Sequence, residues 1–180
     1  MSRWRRPGRI AGTVAGVGAL DAVITARRWS VPMLAGLDWP AHVATAALAL
    51  GALPPRLRPA SAGWALAGSV AIDLDHVPLY LGLDRVAAHP GGRPVTHSLA
   101  TPAALLAGAR LTQGRVRAAL AGLSGGVLLH FVRDVGTGPG LPLLWPFSRR
   151  DVRIPYAAYL APVAAAALAR ALTGPRTPAA

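Results

Sequence analysis

Two carboxylates and an imidazole end a long apolar stretch of the chain. The stretch "SAGWALAGSVAI" carries no charge, and Asp73, Asp75 and His76 follow it directly in "DLDH". If the stretch is a helix, both acids lie at its C-terminal end, where the helix dipole is already negative. A divalent cation would offset that charge, because it takes carboxylate oxygen and neutral imidazole nitrogen as ligands.

A second pair of the same chemical type lies further along the chain. His130 and Asp134 are four residues apart, so in a helix both project from one face. Asp134 also comes close to the end of an apolar segment, as Asp73 and Asp75 do. This repetition indicates that one cation site draws ligands from two helices.

The elements that position these residues are apolar segments separated by arginines. The chain is 53% hydrophobic and 14% charged, whereas soluble domains carry about a quarter charged residues. Arginines between apolar runs are typical of membrane proteins. We predict an all-α integral membrane bundle of about five short transmembrane helices, or six if 10–26, interrupted by Asp21, also spans. The five segments are 41–55, 60–81, 97–111, 117–136 and 155–173.

Composition narrows the function classes. The net charge of +12 is compatible with nucleic-acid binding, but the arginines form no single stripe or tail, so no nucleic-acid partner is expected. A soluble alanine-rich bundle is the alternative to a membrane protein. Cysteine is absent, which excludes disulfides and thiolate metal ligands.

The polar residues converge in an up-and-down bundle, where the starts of odd helices and the ends of even ones share a face. All five histidines and three of the seven aspartates fall on that face: His42, Asp73, Asp75, His76, His89, His97, His130 and Asp134. The opposite loops, 56–59 and 112–116, contain neither residue type. Ionisable residues at a membrane are costly and mark a functional site by default. We therefore expect a His/Asp site that suits Zn, Mn, Fe or Mg.

Each residue also has an interpretation without metal. His89 is then a hydrated loop side chain, and His42 a residue at a helix start. Asp73 or Asp75 would pair with Arg85 or Arg93. The remaining alternatives are a structural His130–Asp134 pair and a helix N-cap formed by Thr96, His97 and Ser98.

These motifs together resemble the YdjM-like family of inner-membrane metal-dependent hydrolases, also described as LexA-binding inner-membrane-associated hydrolases. The family shows a His at the start of its first helix, then PDxDH, HRGxTHS and HxxxDxxTxxG with an aromatic-proline stretch. The counterparts here are "AHVATAALALG", "IDLDH", "GRPVTHS" and "HFVRDVGTGPGLPLLWPF", over about 41–150. Ile72 and Pro94 replace a proline and a glycine of these motifs. Gly92 stands where the family has its first His, three residues after His89.

The resemblance implies a membrane-embedded metal-dependent hydrolase. Its implied metal ligands are Asp73, Asp75, His97, His130, Asp134 and His42. His76 would be a further ligand or a base, and Arg93 would hold an anionic group such as a phosphate. Thr96, Ser98 and Thr137 would orient the ligands.

A site at a membrane face favours lipid or phosphoester substrates, with membrane lipid as the surrounding partner. The competing class is a non-catalytic metal-binding or transport membrane protein. A transporter would place its polar residues near mid-membrane, so their collection at one end favours the hydrolase.

The predicted organisation has three parts. Residues 1–40 form a basic extension with room for an extra membrane helix, 41–173 form the hydrolase-like domain, and 174–180 form a disordered tail. We expect a multi-pass protein of the inner, cytoplasmic membrane. Arginines lie on both faces of the predicted bundle, so they predict no orientation.

Overall fold

The regular secondary structure of the protein is helical. The computed structural model describes residues 7–54, 60–81, 83 and 93–173. In those residues the helices of ten residues or more are α1 Pro7–Ala26, α2 Val31–Ala52, α3 Ala62–Ala71, α4 Ala100–Arg110, α5 Gly114–Thr137 and α6 Tyr156–Thr173. A 3-10 turn, Ile72–His76, and a short helical turn, Val77–Tyr80, come after α3. The predicted all-α class is confirmed.

Among the described residues, three helices are long and apolar enough to cross a membrane. They are Pro7–Ala26, Met33–Ala52 and Gly114–Thr137, while Tyr156–Leu172 is apolar but shorter. A span of the hydrocarbon core needs about 20 residues at 1.5 Å per residue. These helices fit a membrane bundle, and the total of five or six spans stays a prediction.

Two predicted helix limits were wrong. Asp21 does not interrupt the first segment, since α1 runs from Pro7 to Ala26 and the aspartate is buried within it. An aspartate keeps its backbone N–H, so it need not break a helix. Helix α2 begins at Val31, ten residues before the predicted start at 41, and continues through Pro40. His42 therefore lies inside a helix and does not open one.

Proline explains the second error. A proline inside a helix removes one backbone hydrogen bond and normally ends or kinks the helix, which placed the predicted start after Pro40. Apolar membrane helices tolerate such a residue. The actual start carries Pro32 in the first turn, where the missing N–H has no partner in any case.

The chain divides into two compact units. One combines Met1–Arg58 with Leu160–Ala180, and the other is Pro59–Tyr159. In the first unit α1 packs against α2, around a core that includes Ile10, Leu48 and Ala167.

The second unit is built on α5, against which both α3 and α4 pack. Its core contains Ile72, Val127, Phe131, Val135 and Leu141. Ile72, which replaces the proline of the family motif, packs its side chain in this core.

Glycines bring α3 and α5 into close contact. A Cβ added at Gly122 would lie 2.5 Å from Cβ of Trp64, and one added at Gly126 would lie 2.7 Å from Cα of Gly68. Neither position has room for a side chain. Small residues spaced in this way let helix backbones approach closely. This contact sets the distance between the acids that come after α3 and the polar residues of α5.

Two hydrogen bonds hold helix α4 and the segment that precedes it. Ser124 Oγ on α5 donates to the carbonyl of Pro102 at 2.8 Å, which ties α4 to α5. The backbone N–H of Leu99 donates to the carbonyl of Leu143 at 2.9 Å. These bonds anchor the turn that carries Thr96, His97 and Ser98.

Candidate metal centre

The 3-10 turn after α3 brings Asp73, Asp75 and His76 to one place. A 3-10 helix has three residues per turn, so Asp73 and His76 lie on the same side. Nδ1 of His76 is 3.9 Å from Oδ1 of Asp73 and 3.1 Å from Oδ1 of Asp75. Leu74, between the acids, is 60% exposed. The turn thus presents its three polar side chains together and leaves its leucine at the surface.

His97 completes the contact with this turn. Its Nδ1 donates to Oδ2 of Asp75 at 2.9 Å, and the Thr96 hydroxyl donates to the same oxygen. The imidazole is fully buried, and its Nε2 lies 3.8 Å from Oδ1 of Asp73. That distance is too long for a hydrogen bond. The second nitrogen of His97 therefore points at a carboxylate without bonding to it.

Helix α5 supplies the other imidazole and the third carboxylate. His130 Nδ1 donates to the carbonyl of Ser69 at 2.9 Å, since a carbonyl can only accept. Nε2 of the same ring lies 3.3 Å from Oδ2 of Asp134 and 3.5 Å from Oδ1 of Asp73. In the neutral ring this Nε2 carries a lone pair, and it faces two carboxylates.

Arg93 lies beside the third carboxylate. Its Nη1 donates to Oδ2 of Asp134 at 2.9 Å, and its Nη2 lies directly against Gly138. A side chain at position 138 would occupy the place of the guanidinium. The alternative in which Arg93 pairs with Asp73 or Asp75 is thus not observed, because its partner is Asp134. Arg85 lies outside the described residues.

The ionisation of the pair Asp75–His97 is set by mutual contact, and both groups lie outside the helices long enough to span a membrane. Burial raises the pKa of Asp75, but its contacts with His76, His97 and Thr96 outweigh this and hold the pKa below its usual value. Burial lowers the pKa of His97, but its contacts with Asp73 and Asp75 outweigh this and raise it. The contact therefore favours the ionised carboxylate and shifts the titration of the imidazole to higher pH.

These residues fit a bound cation. Within the second unit, two groups of donors have ligand atoms within 4.8 Å of one another: Asp73, His76 and His97, and then His97, His130 and Asp134. Three buried atoms around them, His97 Nε2, Asp73 Oδ2 and Asp75 Oδ1, have no hydrogen-bond partner within the described residues. Buried polar atoms are normally satisfied, so acceptors left open beside other acceptors match the place of a metal ion.

The structure brings together most of the predicted site residues. Those that meet are Asp73, Asp75, His76, His97, His130 and Asp134, with Arg93 and Thr96 beside them. Ser98 is buried in the same turn as His97. The hydroxyl of Thr137 donates to the carbonyl of Arg133 in its own helix, and its role in orienting a ligand stays a prediction.

Two predicted residues lie in the first unit or outside the described chain. His42 is buried in the first unit, with its Nε2 3.3 Å from Oδ2 of Asp38 one helical turn earlier. Its role as a ligand stays a prediction. His89 falls outside the described residues, as does Gly92.

Sequence reasoning missed the parts that hold the ligands. The Ser69 carbonyl fixes the tautomer of His130, and a backbone acceptor leaves no signal in the sequence. The close packing of α3 on α5 could have been predicted from the sequence, since Gly122 and Gly126 have the GxxxG spacing of tight membrane helix pairs.

Comparison with known proteins identifies a family. A family model described as YdjM inner membrane protein matches residues 37–179. No curated protein and no solved structure matches the chain.

Proposed function

This chain belongs to the YdjM inner membrane protein family, and from that premise we propose that it is a membrane-bound metal-dependent hydrolase. It is a multi-pass protein of the inner membrane. The observation that carries the proposal is the buried group of imidazoles and carboxylates with open acceptor atoms. Structural ion pairs would leave such atoms satisfied, whereas ligands of a cation leave their lone pairs directed at it.

The donor set defines the class of metal. Imidazole suits Zn and Fe, and carboxylate suits Mn and Mg, so the mixed set fits any of the four divalent ions. The proposed ligands are Asp73, Asp75, His97, His130 and Asp134. A bound divalent cation would supply Lewis acidity toward a phosphoryl or carbonyl oxygen and make water more acidic.

The surrounding residues hold the ligands in position. Thr96 donates to Asp75, and the Ser69 carbonyl accepts from His130, so hydrogen bonds to neighbouring residues orient these two ligands. His76 is 18% exposed and is more open to water than His97 or His130, which suits a further ligand or a base that exchanges protons with water. Arg93 is a cation in direct contact with the cluster, and it suits recognition of an anionic phosphate.

Apolar side chains around the cluster support an amphiphilic substrate. Leu74 is 60% exposed, Val77 46% and Leu99 41%, and each lies within two residues of a proposed ligand. A lipid or lipid-linked phosphoester would place its charged group at the metal and its hydrocarbon against these side chains. Membrane lipid itself is the expected neighbour of the protein.

Hydrolysis is tested directly on the purified protein. We expect cleavage of p-nitrophenyl phosphate, bis-p-nitrophenyl phosphate or phosphatidic acid in the presence of Zn²⁺ or Mn²⁺, and loss of that activity with a chelator. His130→Ala should lose it too, whereas Asp151→Asn, outside the cluster, should keep it. Bound metal with no cleavage, together with metal flux into proteoliposomes, would contradict the hydrolase and favour transport.

Metal affinity should depend on pH. The contacts of His97 raise its pKa, so its ring keeps a proton to higher pH than a free imidazole does, and a metal ion must displace that proton. Affinity should therefore fall as pH drops through that raised pKa, and binding should release protons to the buffer. Asp75 contributes no proton, because its pKa is lowered. Calorimetry in buffers of different ionisation enthalpy measures the release, and a metal enthalpy independent of the buffer would disprove it.

A further inference from the structure

The cluster contains more donors than one metal ion can use. Six side chains contribute: Asp73, Asp75, His76, His97, His130 and Asp134. Zinc sites take four ligands, and an octahedral ion takes six. A single ion bound by all six would have no open position for substrate, and one bound by four would leave two of the six donors unused. We infer that the cluster holds two divalent cations, with the Asp73 carboxylate between them.

The inner position has three buried donors. His97, His130 and Asp134 have ligand atoms within 4.8 Å of one another, and all three residues are buried. Both imidazoles direct Nε2 toward this point, because Nδ1 of each is used in another hydrogen bond. The open Nε2 of His97, on a fully buried side chain, is the clearest indication of a ligand here.

The outer position uses the 3-10 turn. His76 Nδ1 and Asp75 Oδ1 are 3.1 Å apart, and Oδ1 of Asp75 is buried without a hydrogen-bond partner in the described residues. His97 cannot serve this position as well, since its Nδ1 is bonded to Asp75 and its Nε2 faces inward. Nδ1 of His76 donates to the backbone carbonyl of Asp73 at 3.3 Å, so the lone pair of the neutral ring is on Nε2. The outer ion would therefore bind Asp75, Asp73 and His76 through Nε2.

Asp73 lies between the two positions. Its Oδ1 is 3.5 Å from Nε2 of His130 and 3.9 Å from Nδ1 of His76, and its buried Oδ2 has no hydrogen-bond partner in the described residues. A carboxylate with both oxygens available can bridge two ions, as in two-metal hydrolytic sites. This inference rests on the proposed metal-dependent function and adds a second ion to the proposed site.

Charge supports two ions with an anionic substrate. The three carboxylates and the Arg93 guanidinium leave two negative charges, which one divalent cation neutralises. A second cation creates a positive excess, and a phosphoester or other anion offsets it. The side chains of His76 and Asp75 are 18% and 16% exposed, whereas those of His97 and His130 are fully buried. The outer ion should therefore exchange faster and bind more weakly.

Manganese counts the ions directly. The purified full-length protein is saturated with Mn²⁺, freed of excess metal, and measured by elemental analysis and electron paramagnetic resonance. We expect two Mn²⁺ per chain and a spectrum with exchange coupling between neighbouring ions. His76→Ala should fall to one Mn²⁺ with an uncoupled spectrum, and Asp151→Asn should keep two.

The outcomes separate this inference from the proposed function. One Mn²⁺ per wild-type chain with an uncoupled spectrum overturns the second ion and leaves a mononuclear hydrolase intact. No bound Mn²⁺, Zn²⁺, Fe²⁺ or Mg²⁺ overturns both. If a folded His76→Ala variant loses both ions, or keeps both, the outer position is overturned. The wild-type spectrum does not depend on how well the variant folds.

Discussion

Asp73→Asn should abolish metal binding by the purified protein. Oδ1 of Asp73 lies 3.5 to 3.9 Å from nitrogen atoms of three different imidazoles. No other carboxylate in the described cluster lies this close to as many imidazoles. Asparagine keeps the size of the side chain but removes its charge and one acceptor oxygen. Losing a residue that orients a ligand costs about 10- to 100-fold in metal affinity, so losing this donor should cost more than about 100-fold.

The measurement is metal content after equilibration with Zn²⁺, with Asp151→Asn as the matched control. Both variants replace one aspartate by asparagine in the second unit, and only one of them lies in the cluster. If Asp73→Asn binds as much metal as the wild type, Asp73 is not a ligand and the 3-10 turn is not part of the metal site. The same comparison by far-ultraviolet circular dichroism shows whether either protein has lost helix.

Gly126→Ala should separate the two halves of the site without changing any ligand. The added methyl group would meet the carbonyl of Ala65 and lie 2.7 Å from Cα of Gly68, so the backbone of α3 must move away. Overpacking of this kind costs about 1–3 kcal/mol. Because Asp73 comes after α3 while His130 is on α5, the same shift lengthens the distances between ligands and should lower metal affinity.

Gly125→Ala is the matched control for this prediction. An added Cβ at Gly125 meets nothing within 4 Å, so the substitution adds the same methyl group to the same helix without a clash. It should leave metal affinity unchanged and stabilise the helix by up to about 1 kcal/mol. Thermal unfolding in detergent and metal content are measured for both. Equal behaviour of the two variants would show that the α3–α5 contact does not position the ligands.

The convergence of the polar residues could be predicted because it depends on short-range regularities. A spacing of four places His130 and Asp134 on one helix face, and alternation of helix direction places Asp73, Asp75 and His97 at the same end. Both rules need only the sequence positions, and the structure brings these residues together.

The rest depended on contacts between distant parts of the chain. Arg93 could have paired with any of several acids, and only the folded chain places it beside Asp134. The start of α2 was predicted too late because a proline usually ends or kinks a helix, whereas α2 continues through Pro40. The change from α-helix to 3-10 turn after Ala71 was also not predicted, because Ile72, the first residue of the turn, still belongs to the apolar stretch.

That turn makes the site sensitive to the number of residues as well as to their identity. Each residue of a 3-10 helix advances by about 120°, so inserting or deleting one residue between Ala71 and Asp73 rotates the rest of the turn by a third of a revolution. The side chain of Leu74, now 60% exposed, would then be turned toward the cluster, and a carboxylate would be turned toward the surface. An α-helix, at about 100° per residue, would also move Asp73 and His76 out of alignment. Among natural or designed variants, length changes in "IDLDH" should therefore be tolerated far less than in the segment between α4 and α5.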